Sequence, residues 1–173
     1  MGFDWRNDPN SDNTPMRVAK AFVNDMAIGC YSQPPRITSF PSDGYDGIVF
    51  QGGIPVKSLC SHHHLPFTGQ AHVAYIPSLQ GRVIGLSKLN RIVEYYARRP
   101  QIQEGLTIQI HSAINDICEK NAGVAVVISA THTCACLRGV KHDGCVMKTS
   151  KLSGSFYDDE KTRAEFYHFV QTM

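Results

Sequence analysis

The segment from Gln101 to Lys120 carries one unbroken apolar stripe: Ile102, Leu106, Ile110, Ile114 and Ile117 recur at the spacing of a helix face. A helix with a single apolar face must bury that face against another layer. A second amphipathic segment precedes it, from about Ser87 to Arg98, with Leu89, Val93 and Tyr96 apolar and Pro100 marking its end. Strand-like segments flank the two helices. Upstream, Gly47–Phe50, Val56–Ser61 and Phe67–Ile76 read as extended, and in the last of these Ala71, Val73 and Tyr75 alternate with His72, Ala74 and Ile76. Downstream, Val124–Leu137 and Val146–Phe156 read as strands, with a terminal helix from about Asp159. Strands, two long helices, then strands predict an α+β fold, an antiparallel sheet with helices packed on one face.

The start of the chain adds one further element. Residues 1–13 read as a polar tail with no apolar signal core, followed by a single domain over 14–173. Thr14 before Pro15 predicts a helix start, a capping hydroxyl and then proline at the first helical position. This helix is expected to reach about Met26 and stop near Gly29, with Val18, Phe22 and Met26 toward the core. Cys30–Asp46, rich in Pro, Ser, Asp and Gly, reads as loop. No run of 18 apolar residues is present to cross a membrane. The net charge is +2 with no block of like charges, which argues against a nucleic-acid partner and suits a small anionic ligand. Six cysteines without a signal core point to thiols with metal or catalytic roles, and to a cytoplasmic location.

The chemistry concentrates in two places. Cys60-Ser61-His62-His63-His64 offers a thiol and three imidazoles, and Cys60-x-x-His63 is a zinc-ligand spacing. In the strand expected over Val124–Leu137, period two places Val126, Ile128, Ala130, His132, Cys134, Cys136 and Arg138 on one face. Its beginning is core, and its end presents an imidazole, two thiols and a guanidinium. Zinc held by Cys60, His63 and one of Cys134 or Cys136 keeps a fourth position open, as catalytic sites do, whereas a structural site takes both thiols. His62 and His132 are then neighbours able to move protons near neutral pH.

Basic residues form a third group. Arg17 with Lys20, and Lys88 with Arg91, share helix faces, Arg138 follows the metal strand, and Ser87 and Lys88 fall at a helix start that favours anions. Together they suit a polyphosphate, although there is no glycine-rich phosphate loop. Glu104, after Gln101 and Gln103, offers a carboxylate able to accept from the N1–H and 2-amino group of guanine.

With these residues in view, the chain resembles the type I GTP cyclohydrolase family from about Asn13 to Val170. The resemblance rests on NTPMRVAKAF, LCSHHHLPFTGQAHVAYIP, VIGLSKLNRIVEYYARRPQIQEGLT, ATHTCACLRG and DDEKTRAEF, in that order. It implies a tunnelling fold, or T-fold, and a toroidal decamer of two pentamers with sites shared between subunits. It implies Cys60, His63 and Cys134 as zinc ligands, with Cys136 outside the ligand set, and His62 and His132 as the acid–base pair. Glu104 with Gln103 becomes the guanine anchor, and Arg17, Lys20, Ser87, Lys88, Arg91 and Arg138 become triphosphate contacts. The reaction implied is hydrolytic opening of the guanine imidazole ring of GTP, loss of formate, and closure to 7,8-dihydroneopterin triphosphate.

The chain departs from the family pattern at Ser61, where glutamate is usual, at His64, where an apolar residue is usual, and at Gly105, where arginine is usual. It also begins without the longer N-terminal helical region common in the family. Two other readings fit the same residues: a same-fold cyclohydrolase with an altered product, and a catalytically silent GTP-binding zinc protein.

Overall fold

The structure is a computed structural model that describes residues 6–173, so residues 1–5 of the expected tail lie outside it. Helix α1 (Thr14–Ala21) is followed by a π-helical turn (Phe22–Met26) and a short 3-10 turn (Ile28–Cys30). Next come β1 (Ser39–Pro41), β2 (Val49–Cys60), β3 (Pro66–Ile76) and β4 (Arg82–Ile84). Helix α2 (Leu86–Ala97), β5 (Pro100–Gln101), α3 (Gln103–Ile117) and β6 (Gly123–His132) follow. The chain ends with α4 (Thr133–Cys136), β7 (Val146–Leu152), α5 (Ser155–Asp158) and α6 (Glu160–Gln171).

The main sheet runs β5-β2-β3-β6-β7. Its long pairings are antiparallel, as expected, and the two-residue β5 joins β2 in parallel at the edge. The segments expected separately at Gly47–Phe50 and Val56–Ser61 are one strand, β2, broken by a bulge. Opposite β3, Gln51 pairs with Val73 but Ile54 pairs with Ala71, so β2 holds one extra residue there. Gly53 accommodates it with a φ of 67°.

That single insertion has a consequence for the site. Side chains alternate strictly along a strand, so one extra residue reverses which parity faces inward. Val49 before the bulge and Ile54, Val56 and Cys60 after it all join the core under the helices. Without the bulge, a strand that buried Val49 would turn Cys60 to the opposite face.

Helices α2 and α3 cover one face of the sheet as predicted. Leu89, Ile92 and Val93 of α2 and Leu106, Ile110 and Ile114 of α3 pack on Val73, Tyr75, Val126 and Ile128. Helix α3 is shorter than Gln101–Lys120 because Gln101 is drawn into β5, and Ile102 caps the helix while staying exposed. Gly123, expected to close the helix, opens β6 instead. Beside its apolar stripe, α3 buries a polar row, Gln103, Thr107 and His111, at four-residue spacing. Thr107 meets Thr149 Oγ1 at 2.7 Å and His111 Nε2 meets Ser153 Oγ at 2.9 Å, which docks the helix on β7.

The opposite face is covered at one end by the C-terminal elements. Phe156 and Phe166 pack on Ala74, Ile76, Ala125 and Val127. The Asp159 carboxylate caps α6, accepting from the Thr162 amide at 2.8 Å and the Thr162 hydroxyl at 2.6 Å. Because it accepts these bonds as an anion, its carboxyl is held below the usual range.

Further sequence expectations need correction. Helix α1 ends at Ala21, and Val18, expected in the core, is 58% exposed because among the described residues no sheet lies beneath α1. Its cap is Asn13, in left-handed conformation, with Thr14 the first helical residue. The loop Cys30–Asp46 contains β1, which pairs with β4 in a separate two-stranded sheet. The last expected strand stops at Leu152, beyond which Gly154 (φ 55°) turns the chain into α5.

Candidate metal centre

The donors come from three places that the sheet brings to one end. Cys60 ends β2, and the five residues after it turn the chain into β3. The Cys60 carbonyl accepts from the amides of His63 at 3.4 Å and His64 at 2.8 Å, and the Cys60 amide donates to the Leu65 carbonyl at 2.8 Å. This tight turn puts His64 at a φ of 51° and folds His63 back over Cys60. The Ser61 amide donates to the Gln101 carbonyl at 3.1 Å, tying the turn to β5.

Cys134 arrives along β6. Phe67 pairs with His132, so the residues after His132 fall beside the same turn. Here the structure corrects the expected strand Val124–Leu137: β6 stops at His132 and Thr133–Cys136 form a helical turn, α4. The Thr133 hydroxyl donates to the Pro66 carbonyl at 2.6 Å and anchors that turn. Residues two apart on a helix point about 200° apart, so Cys134 and Cys136 no longer share a face. One ligand atom from each of Cys60, His63 and Cys134 lies within 4.8 Å of the others, and Cys136 is not in the group. Two thiols and an imidazole at this separation fit a small divalent cation of borderline softness. Burial and the neighbouring Cys60 thiol push the Cys134 thiol above its usual value, whereas a bound cation would favour the thiolate.

The surrounding side chains follow the same geometry. His62 is exposed, with Nδ1 3.6 Å from Cys60 Sγ. Arg138, just past α4, donates to His63 Nε2 at 2.7 Å. His132 lies on the helix-facing side of β6, its ring stacked on Phe67 at 4.5 Å and 8°. Burial holds its pKa below the usual histidine value, while Glu104 nearby pulls the other way. Glu104 is exposed in the first turn of α3. Gln103 beside it is 1% exposed, with Oε1 2.8 Å from His132 Nε2.

The basic residues divide. Arg17 and Lys20 are exposed on α1, whose continuation reaches the donor turn where the Phe22 ring meets His64 at 5.5 Å. Ser87, Lys88 and Arg91 sit on α2, which starts after β4 at the far end of the sheet, where the Ile84 amide donates to Tyr75 Oη at 2.8 Å. Tyr75 lies eight residues along β3 from Phe67, roughly 27 Å. Arg91 lines a cavity of about 470 Å³ with Asn24, Ser32, Glu94, Tyr95 and Arg98, apart from Cys60, His63 and Cys134. One chain therefore gathers the metal donors, both candidate acid–base histidines, Glu104, Arg138 and the end of α1, but leaves Ser87 and Lys88 apart.

Sequence reasoning missed Phe67, the platform under His132, and Phe22, the contact to His64. Phe67 reads as ordinary core, and only the β3–β6 register puts it beneath an imidazole. Phe22 was expected to face the core, and its link to the donor turn depends on the path of the π-helical turn.

Fold and site define a tunnelling-fold protein with a cluster of two thiols and one imidazole able to hold a metal ion. The crystal structure of an archaeosine synthase QueF-Like in the apo form shares the fold, with a TM-score of 0.50 and 18% identity over 62% of this chain and 93% of that one. A family model described as GTP cyclohydrolase I matches residues 4–171. Proteins named GTP cyclohydrolase 1 from Rhodopirellula baltica and Dehalococcoides mccartyi are 46% and 45% identical over 91% of this chain, covering 69% and 83% of their own lengths. One from Chlorobaculum tepidum is 44% identical, also over 91% of this chain and covering 69% of its own. The chain belongs to the GTP cyclohydrolase I family.

Proposed function

We propose that this enzyme is a zinc-dependent GTP cyclohydrolase I that converts GTP and water to 7,8-dihydroneopterin triphosphate and formate, the first step toward tetrahydrofolate, another pterin or a deazaguanine base. The observation that carries the reading is the Cys60–His63–Cys134 cluster in a chain of this family. Cys60, His63 and Cys134 would hold the zinc, and a set of three protein donors would leave it able to take up water. Thiolate donors favour zinc over harder divalent ions. When bound, zinc lowers the pKa of that water toward ~7 and so supplies a nucleophile at neutral pH.

The chain's own residues divide the remaining work. Glu104, exposed on α3, accepts from the N1–H and 2-amino group of guanine. A proton delivered to N7 leaves C8 electron-poor, and His132 is the donor. His62, beside Cys60, moves protons in the later hydrolysis that frees formate. Arg138, Arg17 and Lys20 hold the triphosphate from the donor side. Ser87, Lys88 and Arg91 hold it from a second copy of the chain, since within one chain Ser87 and Lys88 lie at the other end of the sheet.

This arrangement calls for a homo-oligomer, which the resemblance makes a decamer of two pentamers. Strand β7 supports the reading, because among the described residues it pairs with β6 alone and presents its outer backbone edge. We place the enzyme in the cytoplasm and treat residues 14–173 as its single domain. No helix among the described residues is long and apolar enough to cross a membrane.

The test is an assay of the zinc-loaded protein with GTP, following formate release and the fluorescence of the oxidised pterin, with Cys134→Ser as control. Formate and pterin together, both lost in the variant, are the expected result. Formate without pterin would move the assignment to a same-fold enzyme that stops early, and tight GTP binding without product to a silent binding protein.

A further inference from the structure

The side-chain amide of Gln103 has little freedom. Its Nε2 lies 3.1 Å from the Ile128 carbonyl, the Met147 carbonyl and Thr149 Oγ1. Those are three acceptors for two hydrogens, contributed by two adjacent strands. Reversing the amide would aim its oxygen at two carbonyl oxygens inside the core, where the residue is 1% exposed. The nitrogen therefore faces the sheet, and Oε1 faces His132 Nε2 at 2.8 Å. An amide oxygen only accepts, so the hydrogen in that bond belongs to His132 Nε2. The stacked Phe67 ring holds the imidazole plane, and the bond to Gln103 Oε1 fixes which edge of the ring faces the helix.

We propose that Gln103 is a positioning residue that fixes the tautomer of His132, leaving Nδ1 as the one atom through which His132 exchanges a proton with substrate. The proposal rests on the acid–base role of His132 given above, and it replaces the guanine contact that the resemblance implies for Gln103. In the step concerned, the imidazolium carries hydrogens on both nitrogens. The Nδ1 proton passes to N7 of guanine, and the neutral ring that remains keeps its Nε2 hydrogen on Gln103. No further proton has to move within the protein. A ring free to adopt the other tautomer would spend part of its time with Nδ1 already protonated in the neutral form and Nε2 bare, unable to take the proton back at the same atom.

The experiment combines kinetics with a direct view of the tautomer. Solid-state ¹⁵N spectra are recorded on the zinc-loaded protein labelled at its eight histidines, with His132 assigned by the signals lost in His132→Asn. The expected spectrum shows a protonated Nε2 and a bare Nδ1 at neutral pH. In Gln103→Met, kcat falls by about 10- to 100-fold, KM for GTP shifts by less than ~3-fold, and the His132 signals divide between both tautomers. A protonated Nδ1 with a bare Nε2 in the parent protein would overturn the proposal, and this readout does not depend on Gln103→Met folding. A rise in KM with kcat unchanged in Gln103→Met would overturn it in favour of a direct guanine contact. Full ring opening by His132→Ala would instead remove the acid–base role of His132, a separate failure that leaves the tautomer measurement standing on its own.

Discussion

Replacing Gly69 with alanine tests whether the close approach of β3 and β6 sets the position of the site. Gly69 faces Ala130 across the two strands, on the side covered by α2 and α3. A Cβ added there would stand 2.0 Å from the Ser129 carbonyl oxygen, 2.5 Å from Ala130 Cα and 2.8 Å from Ala130 Cβ. These neighbours are sheet backbone and a methyl group, none of which can rotate aside. The strands would have to part by about 1 Å, and overpacking of this kind costs roughly 1–3 kcal/mol. In a chain of this size that lowers the melting temperature by roughly 2–12 °C. The same displacement acts two register positions from the Phe67–His132 pair, and a misplacement of ~1 Å at a reacting group costs up to about 100-fold in rate. Thermal melts of the zinc-loaded protein, read beside kcat for formate release, measure both effects. A Gly69→Ala protein that melts within about 1 °C of its parent and turns over at the parent rate would refute the argument.

Three other outcomes are expected. Cys134→Ser abolishes metal retention after dialysis while Cys136→Ser leaves metal content at the parent level, since the two thiols point apart on α4; metal analysis of the purified variants decides it. His72 and His111 are both buried, and burial holds both below their usual pKa, aided by Lys148 near His72 and Lys151 near His111. The unfolded chain therefore binds protons more readily, so their stabilisation is complete above about pH 6.5 and is lost as pH falls below it, by at most about 1.4 kcal/mol per pH unit for each histidine. Denaturant titrations from neutral to acid pH should show that acid limb flattened in His72→Gln and His111→Gln. Finally, Tyr75 is fully buried with its phenol pushed up to about 12, and its oxygen accepts the Ile84 amide at 2.8 Å. Tyr75→Phe leaves that amide unpaired and should cost about 1–3 kcal/mol in an equilibrium unfolding measurement.

Much of this protein is legible in its sequence because the signals are local. The stripe from Leu106 to Ile114 and the run Leu89–Val93 place two helices on one face of a sheet, and period two in Phe67–Ile76 identifies β3. Cys60-x-x-His63 announces a pair of candidate metal ligands, because donors three residues apart are brought together by one turn. The rest depends on contacts between distant segments, which no local pattern encodes. Whether Cys60 faces inward is decided by a one-residue bulge at Gly52–Gly53, since it reverses the parity of every later side chain in β2. Whether Cys134 or Cys136 joins the cluster is decided where β6 gives way to a helical turn, pinned by Thr133 on the Pro66 carbonyl. Gln103 looks like any polar residue at a helix start until the register of β6 and β7 sets three acceptors and an imidazole around it. Periodicity reports which face of an element is buried, and only the packed structure decides what that face meets.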